Sequence, residues 1–147
     1  MKNIKGFTLI EILIVVAIIG ILASTVLVGL SGSRGAARDA RRISDLRQVQ
    51  GALEVYYNAN NSYPPNGQGT TAQAFYTNLS AALGSIAKSL PVDPLASNPG
   101  YGYESDGQQY IISASLEGSM PAGYTTPAVP GSFSVISCAA PVYCVTL

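Results

Sequence analysis

The hydrophobic pattern of the chain changes at residue 34. Before it, residues 12–33 carry no charged side chain and are rich in Leu, Ile and Val. As a helix with a rise of roughly 1.5 Å per residue, this stretch would be about 33 Å long, close to the hydrocarbon thickness of a bilayer. The pattern therefore predicts a membrane-embedded helical segment over residues 7–33. Because glycine weakens a helix, residues 29–35 are expected to be its least stable part. Alternatively, the glycines there allow another helix to approach closely.

An amphipathic pattern follows over residues 34–60. Apolar residues recur there at spacings of three and four, and this predicts a helix with one face that lies on a sheet. The members of this face are Ile43, Leu46, Val49, Leu53 and Tyr56. The opposite face is assigned the charged residues Arg38, Asp39, Arg41, Arg42, Asp45 and Arg47. Such a run is usually a solvated face, although arginines there would also suit lipid phosphates or acids on a neighbouring chain.

Residues 61–147 have the pattern of a small globular domain. Two runs rich in Tyr and Ile flank Asp106-Gly107, which indicates a β-hairpin whose two turn positions both need positive φ. The segment 118–131 is rich in Pro and Gly and should be an exposed loop. The expected regular elements are a short helix over Ala72–Leu83, antiparallel strands near Tyr101–Glu104 and Gln109–Leu116, and a third strand over Ser132–Ser137.

Composition excludes several functional classes. The 147 residues contain no His, which rules out a His-based triad and imidazole metal ligands, and no Walker or dinucleotide glycine motif is present. We therefore predict no catalytic site and no enzyme. The formal net charge is zero, so no basic surplus indicates a dedicated nucleic-acid site.

The N-terminal edge of the apolar stretch carries an unusual acid. Residues 1–6 are short and basic, and Glu11 lies one helical turn beyond Phe7. A signal peptide, for example one cut near Ala23, or a plain membrane anchor has no reason to carry an acid there. We therefore hypothesise that Glu11 is a functional residue, and we expect it to have a cationic partner.

The segment KGFTLIEILIVVAIIGILA resembles the leader and N-terminal helix of type IV pilins and type II secretion pseudopilins. RRISDLRQVQGALEVYYNANNSYP resembles the segment that follows in many of these proteins, the major pseudopilins above all. The resemblance implies that a prepilin peptidase cuts between Gly6 and Phe7, removes leader 1–6 and N-methylates Phe7. It further implies that Glu11 pairs with the Phe7 amine of a neighbouring subunit and so fixes the stagger between subunits.

The fold implied by this resemblance is α+β, a type IV pilin-like lollipop. A long N-terminal α-helix, half of it embedded in the membrane, would pack on a small antiparallel β-sheet. The implied partners are further copies in a helical homopolymer, the prepilin peptidase and N-methyltransferase, and an assembly machinery with an ATPase and a platform protein. The subunit would be held in the inner membrane before assembly, and then in an extracellular surface filament or a periplasmic pseudopilus.

Three functions follow as hypotheses. The main one is a structural subunit of a type IV pilus, serving adhesion, motility or DNA uptake. The alternatives are a major pseudopilin of a type II secretion system and a membrane-anchored binding module that does not polymerise. Cys138 and Cys144 would form a disulfide loop in a translocated protein and be free thiols in a cytosolic one. A terminal disulfide loop favours the pilin, whereas the helix-to-Tyr-Pro segment favours the pseudopilin.

Metal binding is a further alternative. Asp93, Glu104, Asp106 and Glu117 lie in expected loops or strand ends, and Ca²⁺ prefers such oxygen ligands. Major pseudopilins carry a calcium site in their C-terminal region, but the Gly- and Asp-rich loop that builds it is not recognisable after Leu116. We therefore expect these acids to be turn formers and solvated groups, with no metal and no cofactor.

Overall fold

The structure, a computed structural model, describes residues 6–66, 71–95 and 100–147, without the side chains of residues 26–31. Its elements in chain order are α1 (Leu9–Asn60), α2 (Ala72–Ala82), β1 (Tyr101–Ser105), β2 (Tyr110–Ser115) and β3 (Val142–Thr146). These elements confirm the predicted α+β class with a long N-terminal helix and a small antiparallel sheet. The chain divides into two compact units, residues 1–35 and 36–147.

The first unit contains the N-terminal part of α1. Its large apolar side chains between Phe7 and Leu22 are exposed. The sequence predicts a membrane-embedded segment over residues 7–33. In the part of the chain that the structure describes, no helix combines the length and the apolar character that a membrane crossing needs. The sequence also predicts that residues 29–35 are the least stable part of this helix. The side chains of residues 29–31 lie outside the described part of the chain.

The second unit has one main core between its part of α1 and the sheet. Leu46, Val49 and Leu53, spaced as the amphipathic pattern predicts, are fully buried. They pack with tyrosines of β1 and β2, and α2 contributes Phe75, Tyr76 and Leu79 to the same cluster. Burying large apolar side chains contributes roughly 1.5–3 kcal/mol each, so this face holds the helix on the sheet.

Helix α2 confirms the short helix expected over Ala72–Leu83. It begins after Thr71, whose side-chain oxygen accepts the Ala74 backbone N–H at 3.2 Å. This N-cap satisfies one of the backbone donors that a helix start leaves unpaired.

The hairpin between β1 and β2 confirms one prediction and corrects another. The strands pair antiparallel from Tyr101 with Ala114 to Ser105 with Tyr110. However, the connection runs over four residues, and only Gly107 in it has a positive φ, of 90°. Asp106 Oδ1 accepts the backbone N–H groups of Gln108 and Gln109 at 3.0 and 2.8 Å. These bonds stabilise a longer turn, so Asp106 itself needs no positive φ.

The prediction of a third strand over Ser132–Ser137 is wrong. That segment is irregular, and the third strand is β3, paired antiparallel with β2. The reason is Glu104, whose buried carboxylate accepts the backbone N–H groups of Ser134, Val135 and Ile136 at 2.9–3.1 Å. Donors committed to a side chain cannot form a strand ladder. The place beside β2 is taken by β3.

A disulfide joins Cys138 to Cys144, as expected for a translocated protein. It ties the segment before β3 to the middle of β3 itself. The loop over 118–131 is largely exposed, as predicted from its Pro and Gly content.

Candidate assembly site

The first candidate site is the N-terminal edge of the helix. Gly6 is exposed, and a Cβ placed on it would meet no other atom within 4 Å. Phe7 is 86% exposed. The Gly6-Phe7 peptide bond is therefore open to solvent, as a bond that is to be cut must be. Cleavage there and methylation of Phe7 stay predictions.

Glu11 forms a local structure that the sequence interpretation missed. Its carboxylate accepts the backbone N–H and the hydroxyl of Thr8, both at 2.8 Å. The Glu11 backbone N–H in turn donates to the Thr8 hydroxyl oxygen at 3.3 Å. This reciprocal arrangement is a capping box, and its sequence signature, Thr followed three residues later by Glu, is present in TLIE. The pairing of Glu11 with a neighbouring subunit stays a prediction.

The same end of the helix carries an exposed apolar surface, which extends from Phe7 to Leu22. Its exposed fractions range from 51% at Ile18 to 86% at Phe7. Large exposed apolar patches mark surfaces that contact another protein or a membrane. The members of this apolar surface are Phe7, Leu9, Ile10, Ile12, Leu13, Ile14, Val15, Val16, Ile18, Ile19, Ile21 and Leu22.

The second unit contains a cluster of charged side chains around a buried arginine, which we call the arginine lock. It consists of Arg38, Asp39, Arg42, Asp93 and Glu117. Arg42 is completely buried and donates to Asp93 through Nε and Nη2 at 2.7 and 2.9 Å. Its Nη1 donates to Asp39 at 2.6 Å and to Glu117 at 2.7 Å. Such multiply bonded pairs compensate the cost of burying the charge.

The arginine lock connects α1 with two loops. Asp39 accepts the backbone N–H groups of Glu117, at 3.0 Å, and of Gly118, at 2.9 Å. Arg38 forms a second, bidentate pair with Glu117. Hydrogen bonds from Arg38 and Arg42 lower the pKa of Glu117 to about 2, so its carboxylate is ionised under ordinary conditions. The lock thereby holds the segment after α2 and the start of the long loop after β2 against the helix.

The arginine lock corrects the prediction that these charges form a solvated face. Asp39 and Arg42 are buried, whereas Arg41 and Arg47 are exposed as predicted. A signal for this was present, because Asp39 and Arg42 continue the buried stripe through Leu46 at spacings of three and four. A prediction that places every charged residue on the solvent face by its type, and not by its position in the helix, misses this stripe.

The four acids considered as calcium ligands, and expected instead to be turn formers and solvated groups, bind other groups of the chain. Asp93 and Glu117 bind arginines, Glu104 binds backbone N–H groups, and Asp106 braces its own turn. Their interpretation as solvated groups is thus wrong for Asp93 and Glu104, which are largely shielded from solvent. Within the described residues, no group of three or more His, Cys, Asp or Glu side chains is placed to hold a metal ion.

Comparison with known proteins identifies the family of the chain. Residues 1–27 match the family model described as the prokaryotic N-terminal methylation motif. The type II secretion system core protein G of Klebsiella pneumoniae is 37% identical over 105 residues, which cover 67% of this chain and 74% of that protein. The corresponding protein of Escherichia coli K12 is 32% identical over 126 residues, covering 79% of this chain and 84% of that protein. No solved structure gives a significant match.

A pilus protein is also among the relatives. The type IV wide pilus major component PilA4 of Thermus thermophilus is 46% identical over 66 residues, covering 45% of this chain and 50% of that protein. The chain belongs to the family of type IV pilins and type II secretion pseudopilins.

Proposed function

We propose that this protein is the major pseudopilin of a type II secretion system, a structural subunit that polymerises through its N-terminal helix. The observation that carries the proposal is the similarity to core protein G, which extends over most of the chain and so includes the globular unit. The similarity to the wide pilus component covers less than half of the chain. The pseudopilin thus has better support than the type IV pilus that the sequence first favoured.

The geometry of each unit supports a structural role. In the first unit, an apolar surface over residues 7–22 is exposed and needs a partner. In the second unit, the arginine lock and the apolar core fix the helix to the head. A filament subunit needs an apolar helix surface that packs against other copies. It also needs a head that stays firmly attached to its own helix. The proposal includes no catalytic step and no cofactor.

The proposal assigns roles to the N-terminal residues. A prepilin peptidase cuts between Gly6 and Phe7 and methylates the new amine of Phe7. Glu11 then pairs with that amine on a neighbouring copy, where a wrong stagger would leave the acid unpaired. Before assembly the subunit is held in the inner membrane by residues 7–33, and an ATPase with a platform protein adds it to a periplasmic pseudopilus.

A type IV pilus subunit is the second candidate. It is favoured by the 46% identity to the wide pilus component and by the disulfide between Cys138 and Cys144 near the C-terminus. The two candidates differ in where the polymer lies. A pilus extends from the cell surface, whereas a pseudopilus stays in the periplasm.

The experiment is mass spectrometry of the N-terminal peptide in two fractions, material sheared from intact cells and the membranes left behind. For a pseudopilin we expect N-methylated Phe7 in the membrane fraction only. The same peptide abundant in the sheared fraction would establish the pilus instead. An N-terminus at Met1 or near Ser24 in both fractions would contradict both candidates and favour an anchored binding module or a secreted protein.

A strain that lacks the gene provides the functional control. Loss of protein secretion into the medium, restored by the intact gene and with unchanged surface filaments, is the result expected for a pseudopilin. Loss of surface filaments with normal secretion would support the pilus.

A further inference from the structure

The apolar face of α1 in the second unit does not by itself fix the position of the helix along its axis. Its members Ile43, Leu46, Val49 and Leu53 recur every three or four residues, which is about one helical turn. A shift of the helix by one turn, about 5.4 Å, would bring Ile43 near the place of Leu46 and Leu46 near the place of Val49. Apolar side chains would again face the sheet. The apolar pattern therefore allows more than one axial register, that is, more than one choice of which helical turn faces which part of the head.

The hydrogen bonds between the helix and the sheet tyrosines also have substitutes one turn away. Asp45 and Glu54 accept hydroxyl groups of tyrosines in β1 and β2 at 2.6 and 3.2 Å. A tyrosine hydroxyl can both donate and accept a hydrogen bond. After a shift of one turn, Arg41 would lie near the place of Asp45 and Gln50 near the place of Glu54. Both side chains can bind a hydroxyl, so these bonds select the observed register only weakly.

The arginine lock breaks this repeat, because the residue one turn after Arg42 is the apolar Leu46. A shift in one direction would bring the guanidinium of Arg42 near the place of Leu46, which is fully buried in the apolar core. Arg38 could then bind the acids of the lock, but Arg42 itself would be buried without an anion. A shift in the other direction would bring Leu46 near the place of Arg42 and leave the shielded carboxylate of Asp93 without its cation. Either shift buries an unpaired charge, which is strongly unfavourable.

We propose that Arg42 is a positioning residue that selects the axial register of α1 on the head. A buried polar group can fix the register of packed helices, because every other register leaves it unpaired. The inference rests on the proposed function for its purpose. In a polymer that packs through its helices, the axial register sets where each head lies along the helix. A single register therefore gives all subunits the same shape.

The test measures the distance between two spin labels in the purified full-length protein in detergent by pulsed electron paramagnetic resonance. The labels are attached to Ser44→Cys on α1 and Gln108→Cys in the hairpin turn, two exposed positions. The two native cysteines form a disulfide and take up no label. Tyr110, next to this turn, binds Glu54, which lies ten residues beyond Ser44. The two labels are therefore separated mainly along the helix axis, and a change of register changes their distance.

The variant that tests the proposal combines Arg42→Met, Asp39→Asn and Asp93→Asn. It removes the buried charges and keeps side chains of similar size, an exchange that proteins often tolerate. We expect one distance in the unchanged protein and, in this variant, a second distance that differs by about 5 Å, one helical turn. Val49→Ala is the matched control. It weakens the apolar core but keeps the lock, so it should show one distance.

The outcomes separate the selection of a register from a contribution to stability alone. A single, unchanged distance in the charge-free variant would show that the apolar core fixes the register, and would overturn the proposal. A second distance in Val49→Ala or in the unchanged protein would contradict it too, because slippage would then not depend on the lock. Because the test does not involve filaments, its failure leaves the proposed function intact.

A second variant covers the case in which the charge-free variant does not fold, as judged by circular dichroism. Arg42→Met with Asp93→Asn leaves Asp39 in place, whose carboxylate still accepts the two backbone N–H groups of Glu117 and Gly118. The same second distance is expected in it. If neither variant folds, the lock is required for folding as such, and the role of Arg42 in selecting the register is refuted.

Discussion

Arg42 on α1 and Asp93, which lies 51 residues further along the chain, form a bidentate ion pair. The guanidinium is fully buried, and its remaining donor group binds Asp39 and Glu117. The single side chain of Arg42 therefore binds acids from the helix and from two separate loops. This arrangement makes Arg42 the residue on which the attachment of those loops to the helix most depends.

Replacing Arg42 by Leu should destabilise the protein strongly. The change leaves the carboxylates of Asp39 and Asp93 shielded from solvent and without their cation, a situation that costs about 3–5 kcal/mol. Urea unfolding of the full-length protein in detergent, followed by circular dichroism, measures the loss in the free energy of unfolding. Arg47→Leu is the matched control, because Arg47 is an exposed arginine of the same helix.

Arg47→Leu should change the free energy of unfolding by less than about 0.5 kcal/mol. If Arg42→Leu behaved in the same way, the arginine lock would contribute nothing to stability. A double-mutant cycle with Asp93→Asn would then measure how much of the effect belongs to this pair.

The pH dependence of stability should report on Glu117. Its pKa is lowered from 4.5 to about 2 by hydrogen bonds from Arg38 and then Arg42. A carboxyl group with a depressed pKa in the folded state stabilises the fold above its unfolded value and loses this effect as the pH falls. The contribution of Glu117 is thus present above pH 4.5 and is lost between about pH 4.5 and 2.

Glu117→Gln removes this titration while keeping the size of the side chain. We expect the free energy of unfolding of the variant to fall less steeply with decreasing pH in this window than that of the unchanged protein. Asp106→Asn serves as a comparison, since Asp106 also has a lowered pKa but owes it to its own turn. An identical slope for Glu117→Gln and the unchanged protein would contradict the role assigned to Glu117.

Gly102 in β1 marks a close approach between α2, the sheet and the segment before β3. A Cβ at this position would lie 2.5 Å from Ser113 Oγ and 2.9 Å from the Cβ of Ala72. The serine hydroxyl can rotate away, but the alanine Cβ moves only with the helix. Gly102→Ala should therefore lower the free energy of unfolding by about 1–3 kcal/mol.

Gly51→Ala is the control for this substitution. Gly51 lies in α1, and a Cβ there meets no atom within 4 Å, so alanine should raise the free energy of unfolding by about 0.5–1 kcal/mol. Urea unfolding of both variants shows whether each substitution raises or lowers the free energy of unfolding. Adding Ala72→Gly to Gly102→Ala should relieve the overlap with the helix, and a failure to recover any stability would show that the strain lies elsewhere.

The parts of the fold that were predictable depend on local pattern. The spacing of Leu46, Val49 and Leu53 predicts the helix face correctly, and Asp106-Gly107 correctly marks a hairpin. These signals work because helix and strand periodicities place the same residues on one side regardless of the rest of the chain. The α+β class follows from them.

The parts that were missed depend on contacts between distant segments. Ser132–Ser137 alternates like a strand, but the carboxylate of Glu104, about thirty residues earlier, captures its backbone donors. Arg42 is buried only because acids from two loops reach it. Neither partner can be identified from residues near it in sequence, so periodicity alone gave the wrong strand and the wrong face.

Glu11 has two candidate roles that one substitution can separate. In the structure its carboxylate forms the capping box with Thr8, which stabilises the start of α1 locally. The proposed function instead requires its charge, because the partner is the cationic amine of Phe7 on another copy. Gln forms a capping box as Glu does, but it carries no charge. Ala provides neither.

Filament yield from Glu11→Gln and Glu11→Ala, measured by shearing or by cross-linking of periplasmic polymers, therefore decides between the roles. If pairing across subunits matters, both variants should be cut at Gly6 and methylated normally, yet both should assemble poorly. If the capping box is the whole role, Glu11→Gln should assemble as the unchanged protein does and only Glu11→Ala should be impaired. Normal assembly of both variants would exclude both roles, because a subunit that has neither the charge nor the capping box would then still assemble.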